Sequence, residues 1–285
     1  MRFAGNIFRL IIFSNLFIAC CAAVMVWQSY YLLLDSYPDY YFTSFVFFAT
    51  LCSYSFHWLL TTDIKIDSPR LNWLRKNRPV HRTFFIIGIA GVCITGFYLK
   101  AYWYWLLLSA VVTFLYSAPK LPHRWFKALR KVAIGKTIFL ALVWMYVTTL
   151  LPLLIHKQPW QASFTFFALS RFFLIYAICI LFDYRDKEYD RSIGIKSLIT
   201  WLSYKHITRL FYFSLLLFLL FTSEMILYGY APAAILVLLL PGIVTAILYR
   251  IASTHFSDML FYFVLDGLMA LSALLMLLYT VIFAL

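Results

Sequence analysis

Polar and apolar residues alternate along this chain in long blocks. Apolar runs lie at about 8–34, 41–60, 83–99, 101–117, 132–155, 163–182, 206–228, 231–250 and 257–284. Most reach the roughly 17–25 residues that span a bilayer as a helix. Polar stretches of a few to about twenty residues separate them. The pattern predicts an all-α, polytopic membrane bundle of about nine transmembrane helices, a single domain over residues 1–285. Arg2, Arg9 and the apolar run after them resemble a signal peptide. The run continues past Ala23 to Leu34, longer than a signal core, so it is expected to stay as the first helix.

Composition agrees with this pattern. Of the residues, 64% are hydrophobic and 12% charged, which leaves too little polar surface for a water-soluble core. Abundant Phe, Tyr and Trp suit lipid-facing helices and interfacial belts. The five cysteines fall inside apolar runs, so neither disulfides nor a zinc site is expected. A net charge of +13 would suit nucleic acid, but topology explains it better. With the N-terminus in the cytoplasm and sides alternating, every basic residue except Lys100, Lys157 and Arg171 falls on the cytoplasmic side. This is the positive-inside bias of a multi-pass membrane protein, and no nucleic-acid partner is expected. The two deeply placed charges, Arg171 and Asp266, count to similar depths and are expected to pair across the bundle.

The densest charge cluster runs from Asp183 to Leu198, reading DYRDKEYDRSIGIKSL, directly after an apolar run. Asp183, Asp186 and Asp190 stand at i, i+3 and i+7, so a helix would set them on one face. Clustered carboxylates repel one another unless a cation sits among them, and hard oxygen ligands suit Mg²⁺. The bland reading is a solvated, salt-bridged loop. A second acidic pair, Asp63 and Asp67, lies one helical turn apart after the second run. Between the two groups, the loop after the fourth run is basic, and Gly135-Lys136 opens the fifth. Lys136 is expected either to reach a phosphate or to extend to the interface.

Asp183-Tyr184-Arg185-Asp186, Asp190-Arg191, Gly194 and Lys196-Ser197-Leu198 resemble the second aspartate-rich motif of the UbiA-type intramembrane prenyltransferases. Asn77-Arg78-Pro79 is similar to the short element after that family's first motif, and Tyr116-Ser117 with Pro119-Lys120 to the element after its fourth helix. The first motif departs from the family pattern: Leu59 and Leu60 stand where it has Asn and Asp. The resemblance implies a transferase that moves a prenyl group from a polyprenyl diphosphate to a hydrophobic acceptor, aromatic or lipid-like, with Mg²⁺. Asp63, Asp67, Asp183, Asp186 and Asp190 would be the catalytic metal ligands. Arg78, Tyr116, Lys120, Lys136 and Arg185 would bind substrate. The expected location is the lipid bilayer of a bacterial inner membrane. The alternative is a non-catalytic relative that binds an isoprenoid lipid or a partner. A transporter has little support, since no repeated halves or paired broken helices are visible.

Overall fold

A computed structural model describes residues 2–60, 68–117, 135–192 and 197–283. Every regular element among the described residues is helical. Helix α1 (Arg2–Phe13) and α2 (Leu16–Leu33) are separated at Asn15, which takes a left-handed conformation (φ 72°). The first apolar run, expected as one helix, is therefore two.

Helix α3 (Tyr40–Leu59) starts at Asp39, whose carboxylate accepts a 2.7 Å hydrogen bond from Phe42 N. That bond satisfies one of the amides left open at a helix start. The short α4 (Pro69–Lys76) uses Ser68 in the same way, with Pro69 in its first turn. Helices α5 (Arg78–Tyr98) and α6 (Trp103–Ser117) follow. Helix α7 (Lys136–His156) contains a π-helical segment, Tyr146–Leu150, and stops where Lys157 turns left-handed.

Helix α8 (Ala162–Ser192) is the longest element. After a short turn, α9 (Leu198–Trp201), come α10 (Tyr204–Glu224, with a tighter last turn to Tyr228) and α11 (Pro232–Ala252). Gly229 at φ 84° ends α10, a conformation that glycine adopts without strain. The last helix, α12, opens as a π-helix at Leu260–Leu265 and continues as Asp266–Phe283.

Seven of these helices are long and apolar enough to cross a membrane: α2, α5, α7, α8, α10, α11 and α12. The other two expected spans correspond to α3 and α6. Tyr, Ser, Thr, His and Trp dilute the apolar content of α3, and α6 is 15 residues long. Helix α8 is central and lines the core with Ile175, Ala177, Ile178, Ile180 and Leu181. Helices α3 and α5 pack backbone to backbone: a Cβ added at Gly88 would sit 2.8 Å from Cys52 Cβ. Large apolar side chains such as Ile86, Ile94, Phe213, Leu236 and Ile247 point outward, as lipid contact requires.

Candidate functional site

The candidate site begins with the length of α8. The charge cluster was expected in a loop beyond the sixth span, but the helix runs through it to Ser192. Helical geometry then sorts the charges into two faces. Asp183 is 4% exposed and Asp190 is fully buried, while Asp186 is partly open. Glu188 and Arg191 point out to form a loose 3.8 Å pair. A solvated loop would expose all of these acids alike, so the bland reading fails for Asp183 and Asp190.

The first turn of α7 faces the acids. Thr137 Oγ1 donates a 2.6 Å hydrogen bond to Asp183 Oδ2. The Lys136 ammonium stands 3.9 Å from both Asp186 Oδ2 and Asp190 Oδ1. Lys136 therefore lies between two carboxylates, where a cation relieves their repulsion. Tyr116, at the end of α6, is within electrostatic reach of Lys136 and Asp183. Its ring stacks on His57 of α3 at 5.4 Å, and His57 Nδ1 lies 3.3 Å from Ser117 Oγ. Four helices thus bring polar groups to one end of the bundle.

Arg185, expected to bind substrate, has a different immediate role. Its Nε and Nη2 lie 2.8 Å from Asp186 Oδ1, and its guanidinium lies over Tyr262 at 4.6 Å. A second cation, which the sequence did not single out, also lies against Tyr262. Arg70 lies 3.5 Å from the Tyr262 ring centroid and 4.3 Å from that of Trp58. Its Nη2 donates to Asn15 Oδ1 at 2.7 Å, and its backbone N–H donates to Asp258 Oδ2 at 2.7 Å. Burial pulls this guanidinium below its ordinary pKa, and neighbouring acidic groups work against that shift. The Ser-Pro start of α4 places Arg70 at the second helical position, and only tertiary packing reveals its burial.

Arg78 is exposed at the first residue of α5 and forms no ion pair with the described acids. Asp63, Asp67 and Lys120 lie outside the described residues. Carboxylates are the donor type that Mg²⁺ prefers, but Lys136 stands between Asp186 and Asp190, and among the described residues no three such groups are clustered so as to hold a metal ion.

The expected Arg171–Asp266 pair does not form. Arg171 is surrounded by neutral oxygens of Met25, Gln28, Ser29, Thr148 and Thr149. Asp266 lies instead on the side of the bundle where Arg70 and Arg185 sit. His81 is fully buried against Trp73. In comparisons with known proteins, the chain matches no family model, no curated protein and no solved structure.

Proposed function

We propose that this chain is a membrane prenyltransferase resembling the UbiA type. It would move a prenyl group from a polyprenyl diphosphate to a hydrophobic acceptor, aromatic or lipid-like. The proposed bundle has nine spans, the seven apolar helices plus α3 and α6, with the acidic end in the cytoplasm of a bacterial cell. One observation carries the reading. Asp183, Asp186 and Asp190 share an inward face of α8 opposite Lys136 and Thr137, in the same stretch whose residues resemble the family's second motif.

The chemistry assigned to these residues is charge control. Breaking the allylic C–O bond sends its electron pair to the diphosphate and leaves a carbocation, which the acceptor captures with loss of a proton. Asp183, Asp186 and Asp190, with Asp63 and Asp67, would hold Mg²⁺, which supplies charge neutralisation at the diphosphate. Lys136 would shift from its two carboxylates to phosphate oxygens, and Arg185 would hold Asp186 in place. Aromatic rings lining the bundle would shelter the cation.

A second reading, a non-catalytic isoprenoid binder, is favoured by Leu59 and Leu60 in place of the family's Asn and Asp. Purified protein incubated with Mg²⁺, prenyl diphosphates of several lengths and aromatic acceptors tests both. Diphosphate release that disappears in Asp183→Asn and Asp186→Asn supports the enzyme. Saturable binding of a prenyl diphosphate without release supports the binder. Neither release nor binding removes both.

A further inference from the structure

Helix α1 (Arg2–Phe13) carries none of the residues assigned to the proposed chemistry, yet it lies at the acidic end. Phe13 meets Trp73 of α4 with ring centroids 6.0 Å apart. The next element, α2 (Leu16–Leu33), has 18 residues, or about 27 Å at 1.5 Å per residue. That alone nearly fills a hydrocarbon core of about 30 Å. A straight continuation through α1 would reach roughly 48 Å, far beyond the core.

The chain turns instead. Asn15 is left-handed at φ 72° and fully buried. Its Oδ1 accepts a 2.7 Å hydrogen bond from Arg70 Nη2 of α4, and its Nδ2 donates to Ser55 Oγ of α3 at 3.5 Å. The bend is therefore clamped by two other helices. Beyond it, α1 leans across the start of α12. Phe8 of α1 and Phe17 of α2 both pack on Phe263, with centroids 5.1 Å and 5.2 Å away.

Helix α1 then has three sides. Phe8 and the buried Ile12, one turn on, face the bundle. Ile7, Leu10 and Ile11 stand at i, i+3 and i+4, and are 43%, 37% and 40% exposed. They form an apolar side that the bundle leaves open. Arg9 is exposed as well. At 100° per residue it lies about 160° around the helix from both Ile7 and Ile11. Along the sequence, Arg2, Asn6 and Arg9 recur at i, i+4 and i+7, the spacing of one helix face. Water is a poor solvent for the open apolar side, and hydrocarbon is a poor one for Arg9. The boundary between them suits both. A helix lying there sinks its apolar side about 5–10 Å into the region where headgroups meet chains.

We infer that α1 is an in-plane interfacial helix that docks on the lipid–water boundary at the acidic end. Ile7, Leu10 and Ile11 lie among the lipid chains, and Arg9 reaches the level of the phosphates. The bilayer is the partner because only Ser14 and Asn15 separate α1 from a helix that crosses it. The inference rests on the chain spanning a membrane and is independent of the prenyltransferase reading.

The test uses the whole protein in phosphatidylcholine nanodiscs. They are doped with a phosphatidylcholine whose photoactivatable diazirine lies near the carbonyl end of its chain. After illumination, peptide mapping should place adducts on Ile7, Leu10 and Ile11 and none on Arg9 or Ile12. A spin label is also moved through residues 7–11 in a chain whose five cysteines are replaced by alanine. The preference for collision with oxygen over a nickel chelate should follow the helical period, high at 7, 10 and 11 and lowest at 9. If the cysteine-free chain does not fold, the adduct map on the unmodified protein decides. A depth that changes steadily by about 1.5 Å per residue would make α1 a continuation of the span and overturn the inference. So would preference for the nickel chelate at all five positions, the mark of a water-exposed cap. Absence of adducts together with crosslinks between copies through Ile7 or Ile11 would give the apolar side to a second copy, and would overturn it too.

Discussion

Thr137 Oγ1 donates a 2.6 Å hydrogen bond to Asp183 Oδ2 across the interface of α7 and α8. Both residues are buried, at 3% and 4% exposure. Asp183 is therefore held in one orientation by a partner from the neighbouring helix. Thr137→Val keeps the shape and removes the donor. It should destabilise the protein by about 1.5–3 kcal/mol, the range for hydrogen bonds to charged groups. Thr137→Ser should retain most of the stability. Thermal unfolding of the three proteins in one detergent gives the comparison; equal midpoints for the parent and Thr137→Val would show that the bond contributes nothing.

Lys136 supplies the counter-charge that Asp186 and Asp190 share. Lys136→Met should make the thermal midpoint depend on divalent cations. The acids would then need Mg²⁺ or Ca²⁺ to offset their repulsion. The expected result is a midpoint that rises more steeply with Mg²⁺ in the variant than in the parent, without any diphosphate present. Parallel Mg²⁺ curves would mean that Lys136 does not neutralise the acids.

Arg70 lies between Trp58 and Tyr262 with Nη2 on Asn15. A lysine cannot keep a planar cation against two rings while donating to Asn15. Arg70→Lys should cost about 1–3 kcal/mol, from the lost stacking and the lost charged hydrogen bond. The break between α1 and α2 should loosen with it, because Asn15 loses its donor. Hydrogen exchange over residues 10–20 is the readout, and unchanged protection there would rule out this coupling.

The parts of this architecture set by spacing along one helix were legible in the sequence. Seven expected spans reappear as apolar helices, because bilayer thickness fixes run length. That Asp183, Asp186 and Asp190 share one face follows from the i, i+3, i+7 spacing; that the face is turned inward does not. Relations between helices were not legible. Arg171 and Asp266 count to similar depths, but depth along an axis says nothing of direction around the bundle, and the two face different neighbours. The break at Asn15 has no proline or glycine to announce it. Arg70 reads as one more loop cation until Trp58, Tyr262 and Asn15 close around it. Pro152 is visible in the sequence, but that the Thr148 carbonyl it frees meets Arg171 is again a relation between helices.

The close contact of α3 and α5 depends on a missing side chain. At Gly88 an added Cβ would lie 2.8 Å from Cys52 Cβ and 2.9 Å from its backbone, so neither helix can yield by rotating a flexible tip. Gly88→Ala should destabilise the protein by about 1–3 kcal/mol through overpacking. Gly135→Ala meets nothing within 4 Å and should stay within about 0.5 kcal/mol of the parent. A gain in stability for Gly88→Ala, the direction helix propensity alone would give, would show that the contact yields.

The contacts described above also fix which segments share an end of the bundle. Arg70 N–H reaches Asp258, Arg185 lies over Tyr262, and Lys136 lies beside Asp190. Helix α4, the start of α7, the end of α8 and the start of α12 are therefore together. Arg75, Lys76, Lys187 and Arg191 belong to these same segments. Lys157, by contrast, follows the far end of α7. On the orientation proposed above, the positive-inside rule sets the acidic end in the cytoplasm. Exposed positions allow a direct check. In intact cells, Lys76→Cys and Thr254→Cys should resist a membrane-impermeant maleimide and react only after lysis. Gln158→Cys and Gly229→Cys should react from outside. The parent, whose five cysteines lie in helices, provides the background. Labelling of Thr254→Cys from outside would invert the orientation. It would also remove the acidic face from the compartment where the proposed diphosphate substrate is expected.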